Sequence, residues 1–251
     1  ILPLNMNKDI CVVVNTTSKN SDVWKMFYTQ IKKHFPQHAE IYTFSDIPND
    51  EFIGQTFLYD KNLKFRSQFL SCIKKVPEDY CIFISEDYVL YDNVNINKIE
   101  FLQNILREDD TISFIKLFKG ADFQEPLYKG IENLFELSLS NPYFFSQSAT
   151  LWRTRDLEKI FEKGPDLHIA GEGPNDHFEL GAQETCRNLN LKGLYYYNNE
   201  PKRGIYHHDC SIFPHVATAL VKGKWNLSEY YKELMPLLIE YQINSSERGI
   251  Y

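Results

Sequence analysis

No apolar run in these 251 residues is long enough to cross a bilayer, and the opening stretch from Ile1 to Asp9 lacks the form of a signal peptide. The five cysteines, Cys11, Cys72, Cys81, Cys186 and Cys210, include no C-x-x-C pair. Several sit inside apolar runs, where cysteine acts as a small hydrophobe. Together these absences point to reduced thiols and a cytoplasmic setting. Positive charge is also scarce. A net charge of −7 argues against a general binder of nucleic acid or of anionic membranes. No G-x-G-x-x-G loop is present, which argues against a dinucleotide cofactor. Linkers, repeats and low-complexity segments are missing too, so one domain is expected. The chain begins without Met, as a piece cut from a longer protein would. Aromatic residues are abundant, with 18 Phe and 16 Tyr. They fill cores, and they can also line a cleft for sugars or bases.

The pattern is α/β. Ile10–Val14 reads as a buried strand ending in the polar turn Asn15-Thr-Thr-Ser-Lys-Asn20. Ser21 or Asp22 then caps a helix that runs to about His34, before Pro36. Ala39–Phe44 is a second strand with Ser45 and Asp46 at its end. This opening matches the first half of a mononucleotide-binding unit. Asn15, Thr16, Thr17, Ser45 and Asp46 are the candidates to hold base and ribose, although ordinary capping and turn chemistry also accounts for them. A helix spans Asp60–Lys75 and carries Arg66, a candidate for a donor phosphate. Further helices are expected over 93–107, 155–161, 178–191 and 228–241, the last kinked at Pro236. Strands are expected over 111–118, 143–152 and 194–197. Residues 119–142 have no strong period and read as an acceptor-side loop with a short helix.

The most informative stretch is Tyr80-Cys-Ile-Phe-Ile-Ser-Glu-Asp87. Its apolar run fits a strand buried on both faces. Glu86 and Asp87 follow at the carboxyl end, where open α/β sheets bind ligands. An acidic pair there suits a hard divalent cation, with one carboxylate on the ion and the other acting through water or holding a loop. The bland alternative is a solvated turn.

Ser85-Glu86-Asp87-Tyr88 at the end of a central strand resembles the metal-holding motif of glycosyltransferases of the GT-A fold. Three stretches are similar to a narrower group of sugar transferases: Ile84-Ser-Glu-Asp-Tyr-Val-Leu90, Phe178-Glu-Leu-Gly-Ala182 before Leu194-Tyr-Tyr-Tyr197, and Val221-Lys-Gly-Lys-Trp225. The resemblance implies a GT-A-like, Rossmann-type mixed sheet flanked by helices. A nucleotide-sugar-binding half would span about 10–118 and an acceptor half about 119–251. It implies a nucleotide-sugar donor, a glycan or other hydroxyl acceptor, and Mn2+ or Mg2+. Asp87 becomes the first metal ligand, with Glu86 second, and His207, His208 and His215 compete to complete the shell. Lys222 and Lys224 would contact the diphosphate, with Gly223 allowing close backbone approach. Glu179 is the expected base of an inverting reaction, Asp176 its rival and Glu184 a weaker third. The motif has Glu86-Asp87 where aspartate-x-aspartate is common. Nucleotidyl transfer, a non-catalytic sugar-binding module, and a zinc hydrolase built on His207-His208-Asp209-Cys210 remain as alternatives.

Overall fold

The computed structural model describes residues 9–36, 39–168 and 177–251. At its centre is an eight-stranded sheet in the order β3-β2-β1-β4-β7-β5-β8-β6. The strands are β1 (Ile10–Asn15), β2 (Glu40–Ser45), β3 (Gln55–Leu58), β4 (Tyr80–Ser85), β5 (Ile112–Lys116), β6 (Leu134–Leu137), β7 (Thr150–Arg153) and β8 (Lys192–Tyr196). β1 pairs in parallel with β2 and β4, and β5 with β8. β7 runs antiparallel between β4 and β5, and β6 antiparallel to β8. This is the expected mixed α/β sheet flanked by helices. β7 lies beyond residue 119 yet inserts between β4 and β5, so the two expected halves share one sheet.

Side chains alternate across the strands, as a sheet covered on both faces requires. Ile82 and Ile84 face α1 (Ser21–His34), α3 (Ile96–Glu108) and α6 (Leu227–Glu240). Cys81 and Phe83 face α2 (Phe65–Ile73), α4 (Thr154–Lys163) and α5 (Phe178–Asn188). The second face is built from stacked aromatics: Phe69 on Phe161 at 4.0 Å, and Phe161 on Phe178 at 4.7 Å. Phe178 thereby anchors the start of α5 and fixes where Glu179 projects.

Several expectations need correction. β3 and β6 were not expected. Both are four-residue strands with partly exposed side chains, too short to show a period. Of the strand expected over 143–152, only Thr150–Arg153 is strand. Tyr143–Ala149 turns, with Asn141 Oδ1 accepting from the Tyr143 N–H at 2.8 Å. The last helix departs from helical geometry at Tyr230 (φ −120°, ψ 30°) in its first turns, not at Pro236.

Beyond the main sheet lie two short hairpins. One joins β9 (Lys202–Arg203) to β10 (His207–His208), the other β11 (Leu220–Val221) to β12 (Lys224–Trp225). A final short helix, α7, covers Ser245–Arg248. Among the described residues no helix is long and apolar enough to cross a membrane.

Candidate functional site

The carboxyl ends of the parallel strands β1 and β4 frame a cleft of about 230 Å³. Asn15, Thr16, Thr17 and Asn20 form one side, Ser85, Glu86 and Asp87 the floor, and Leu220 and Gly223 the overhang. A larger hollow of about 450 Å³ surrounds Asp109, Thr111 and Lys192. It opens at the amino ends of β5 and β8, the opposite edge from that at which such sheets bind ligands.

Glu86 is buried, and Asn20 Nδ2 donates to its Oε1 at 2.6 Å. The nearby Thr16 hydroxyl also favours its charged form. The backbone amides of Asp87 itself and of Leu220 favour the charged form of the Asp87 carboxyl. Both carboxyls are held above the usual carboxylate range. Burial is the main cause for each, and the charge on Asp87 adds to it for Glu86. Neither forms an ion pair with a basic side chain among the described residues. Two adjacent acids, Glu86 buried and Asp87 half-buried, with no direct ion pair and with the Arg248 cation reached through Asn20, are a costly arrangement that a hard divalent cation would offset. Carboxylate oxygens are the donor type that a hard cation such as Mn2+ or Mg2+ takes. Among the described residues no three His, Cys, Asp or Glu side chains gather as a metal-ligand cluster.

Why the hairpin sits over this floor follows from the chain before it. Residues 214–219 run alongside 87–91: Tyr91 N–H donates to Pro214 O, Val216 N–H to Val89 O, and Ala219 N–H to Asp87 O. Lys222 (φ 50°) and Gly223 (φ 76°) form the two-residue turn, both left-handed as a tight hairpin requires. Lys222, Gly223 and Lys224 are exposed at the tip. A Cβ at Gly223 would meet nothing within 4 Å, so the tip is open to a ligand.

Arg248, which the sequence reading did not single out, ties this assembly together. It pairs with Asp22 in the first turn of α1 and donates to Lys19 O (3.0 Å), Asn20 Oδ1 (3.3 Å) and Gly223 O (3.3 Å). The chain from Glu86 through Asn20 to Arg248 links the acidic floor to the hairpin. Trp225 N–H donates to Gly249 O at 3.0 Å and Tyr251 N–H to Trp225 O at 2.9 Å, so the C-terminal residues pair with β12.

The other candidates divide. Asn15 and Thr17 line the cleft. Thr16 does too, but its groups are committed: Trp24 Nε1 donates to its Oγ1 (2.6 Å), Tyr59 OH to its carbonyl (2.6 Å), and its N–H to Phe44 O (2.9 Å). Asp46 caps the turn at 18–20 by accepting from Ser18 N–H at 2.7 Å and Ser18 Oγ at 2.5 Å. Ser45 is fully buried and accepts from Ile47 N–H at 3.3 Å. These two shape the turn instead of lining the cleft. Arg66 is also displaced from its expected role: it donates to Glu162 O, near the end of α4, at 2.7 Å.

None of the three histidines lines the cleft with Asp87. His207 Nε2 meets Tyr230 OH at 2.5 Å, and His208 Nδ1 meets Gly120 O at 3.0 Å. His215 is buried among Tyr88, Phe118 and Phe213, with Nδ1 on Phe213 O and Nε2 lacking a hydrogen-bond partner. Burial pushes it down to about 4. Packing claims these rings because the chain must fold back along 87–91.

Glu179 stands in the first turn of α5 and is half-buried. Its Oε1 accepts from Gln147 N–H, and the Gln147 carbonyl accepts from Tyr88 OH. One short relay thus joins Glu179 to the residue after Asp87. Beneath it lies Lys116, buried and donating to Tyr143 O and to Ser146 Oγ (2.6 Å). Burial pulls Lys116 down to about 8, and the Glu179 carboxylate opposes this. Glu184 is exposed and pairs with Arg187 on the solvent face of α5 at 3.5 Å. Asp176 lies outside the described residues. Asn20, Lys116 and Arg248 were not expected at the site, and Tyr88 entered only as a member of the Ser85–Tyr88 motif; of the first three, only the unusual Lys in the apolar run Ile112–Phe118 gave a local signal.

No protein-family model matches the sequence, and no curated protein matches it. Solved structures do resemble it. TarS 1-349 of S. aureus is 13% identical with a TM-score of 0.48, over 95% of this chain and 66% of that one. A nucleotide-diphospho-sugar transferase from Desulfovibrio desulfuricans G20 is 11% identical with a TM-score of 0.44, over 76% and 80%. UDP-glucose pyrophosphorylase complexed with UDP-glucose is 9% identical with a TM-score of 0.45, over 75% and 90%. At such identities residue roles do not transfer, so the roles here rest on this chain's own geometry.

Proposed function

We propose that this chain moves a glycosyl group from a nucleotide-sugar donor to a hydroxyl acceptor, assisted by Mn2+ or Mg2+, with inversion. The observation that carries the reading is the buried Glu86 beside the half-buried Asp87, neither in a direct ion pair among the described residues, beneath a basic hairpin tip at the carboxyl ends of β1 and β4. Asp87 is the residue that would hold the cation. Glu86 holds Asn20 and, through it, the turn at 18–20. Asn15 and Thr17 face the nucleoside, and Lys222 and Lys224 bring positive charge to the diphosphate. The cation, when bound, supplies neutralisation of the leaving diphosphate. On the acceptor side, Glu179 takes the proton of the acceptor hydroxyl as that oxygen bonds to the anomeric carbon. The bond from that carbon to the diphosphate breaks, the nucleoside diphosphate leaves, and the proton remains on Glu179.

The test is product analysis with UDP-, GDP- and CMP-sugars and, separately, nucleoside triphosphates, each with and without Mn2+. Cation-dependent release of a nucleoside mono- or diphosphate from a nucleotide sugar supports the proposal. Pyrophosphate released only from a triphosphate makes the chain a nucleotidyltransferase. No turnover of any donor leaves a sugar-binding module.

A further inference from the structure

Exposed apolar side chains that cluster, unlike single ones, mark surfaces that something covers in use. Two of the exposed rings, Tyr143 and Tyr206, stand together on the acceptor side. Tyr206 is 59% exposed, Ile205 beside it 68%, and Tyr143 37%. The two tyrosine rings meet edge to face at 6.0 Å. Neither lies on a regular element. Tyr206 is at the tip of the β9–β10 hairpin, and Tyr143 is in the turn whose carbonyl Lys116 holds. The same turn, four residues on, supplies the Gln147 N–H that Glu179 accepts. Burial raises the Tyr143 phenol, and the charges of Tyr206 and Glu179 add to this, so all three share one neighbourhood.

The band continues away from Glu179. A Cβ at Gly120 would sit 3.5 Å from the Phe123 ring and 3.9 Å from the Tyr206 backbone carbonyl oxygen, so the tip of the β9–β10 hairpin packs beside Phe123. Lys119 lies 4.6 Å above the Tyr197 ring and 6.0 Å from that of Phe123. These three border a hollow of about 260 Å³, into which Asn133 and Asn199 also face. The hollow lies at the carboxyl end of β8, the same edge of the sheet as Asp87, because β8 and β4 run the same way. β8 is three strand spacings from β4, or roughly 14 Å.

We propose that this band, from Tyr143 beside Glu179 through Tyr206 to Phe123 and Tyr197, binds a saccharide chain, and that the acceptor is an oligosaccharide instead of a single sugar or small alcohol. The inference rests on the function proposed above. Rings offer flat apolar faces to the C–H faces of sugars, and side-chain amides and a lysine offer hydrogen bonds to the hydroxyls. The exposed Tyr143 and Tyr206 rings and the separate hollow at Phe123 and Tyr197 offer more contact surface than one sugar covers, whereas a chain can occupy all of them.

The test is binding of the intact chain to a glycan array graded from mono- to hexasaccharides, alongside Asp87→Ala, Tyr206→Ala, Tyr206→Phe and Phe123→Leu variants. The expected result is retention of glycans of three or more sugars. Tyr206→Ala should weaken it roughly tenfold, as loss of one stacking ring does, whereas Tyr206→Phe and Asp87→Ala should retain it. Phe123→Leu, which keeps apolar volume but loses the ring, should weaken the longer glycans more than the trisaccharides. The inference is overturned if no glycan is retained, if mono- and hexasaccharides are retained equally, or if Tyr206→Ala binds as the parent does. Nucleotide binding with Mn2+, measured in parallel, separates the two readings. A chain that binds nucleotide but no glycan loses only the track, and one that binds glycan but no nucleotide loses only the donor assignment.

Discussion

Asp87 and Glu86 are neighbours with different duties. Asp87 faces the hairpin and Glu86 is held by Asn20. Asp87→Ala should therefore remove turnover and cation-dependent donor binding, whereas Glu86→Gln, which keeps the hydrogen-bond shape, should mainly raise the donor KM. Steady-state kinetics separates the two. Glu179→Gln should lower kcat by roughly 10²- to 10⁴-fold, the usual range for a lost general base, with donor KM little changed. His215 offers a test of the fold instead of the chemistry. Its folded pKa of about 4 lies below the ordinary histidine value. Between those two pH values the unfolded chain binds more protons, so this residue makes stability fall as pH drops from about 6.5 to 4. His215→Phe should lessen that fall by at most roughly 3 kcal/mol, read from urea melts of both proteins across the window.

At the scale of elements, the long buried strands and their amphipathic helices were legible in the sequence. Tyr80–Ser85 and the helix Ser21–His34 fall where the apolar pattern puts them, although the helix starts from Asn20 without a side-chain cap bond instead of from a capping Ser21 or Asp22. β3 and β6 were not legible, since four residues on partly exposed strands carry no reliable alternation. Tyr143–Ala149 misled for the opposite reason: its apolar residues pack while the backbone turns, with Phe144 and Phe145 buried. Within β8, Gly193 is required by packing. A Cβ there would lie 2.1 Å from Phe114 Cζ on neighbouring β5. Gly193→Ala should destabilise by about 1–3 kcal/mol, seen as a lower Tm in calorimetry. The β11–β12 hairpin is tied down by Arg248, which donates to Gly223 O. Arg248→Ala should speed hydrogen exchange at the Trp225 and Tyr251 amides and raise the donor KM, leaving the core amides unchanged.

For the whole molecule, the site is assembled from distant parts of the chain. Asn20, Glu86, Gly223 and Arg248 come together although Arg248 is 228 positions from Asn20. Sequence reading found the parts that carry local signals: the acidic pair at a strand end, the Lys-Gly-Lys turn, and a carboxylate in a first helical turn. It could not find Asn20 or Arg248, because their significance exists only after the C-terminal residues have crossed to α1. It also assigned metal-ligand roles to three histidines that the fold uses elsewhere, since residue type alone does not reveal what a ring packs against. The net charge of −7 fits the same design. An anionic donor approaching such a chain needs a local positive centre, which the hairpin lysines and a bound cation together would supply. The most direct test is thermal stability of the parent chain and of Asp87→Ala with UDP, GDP and CMP, with and without Mn2+. The account predicts a nucleotide-dependent rise in Tm that requires Mn2+ and vanishes in Asp87→Ala. An equal rise in the presence of a chelator, or in Asp87→Ala, would contradict it.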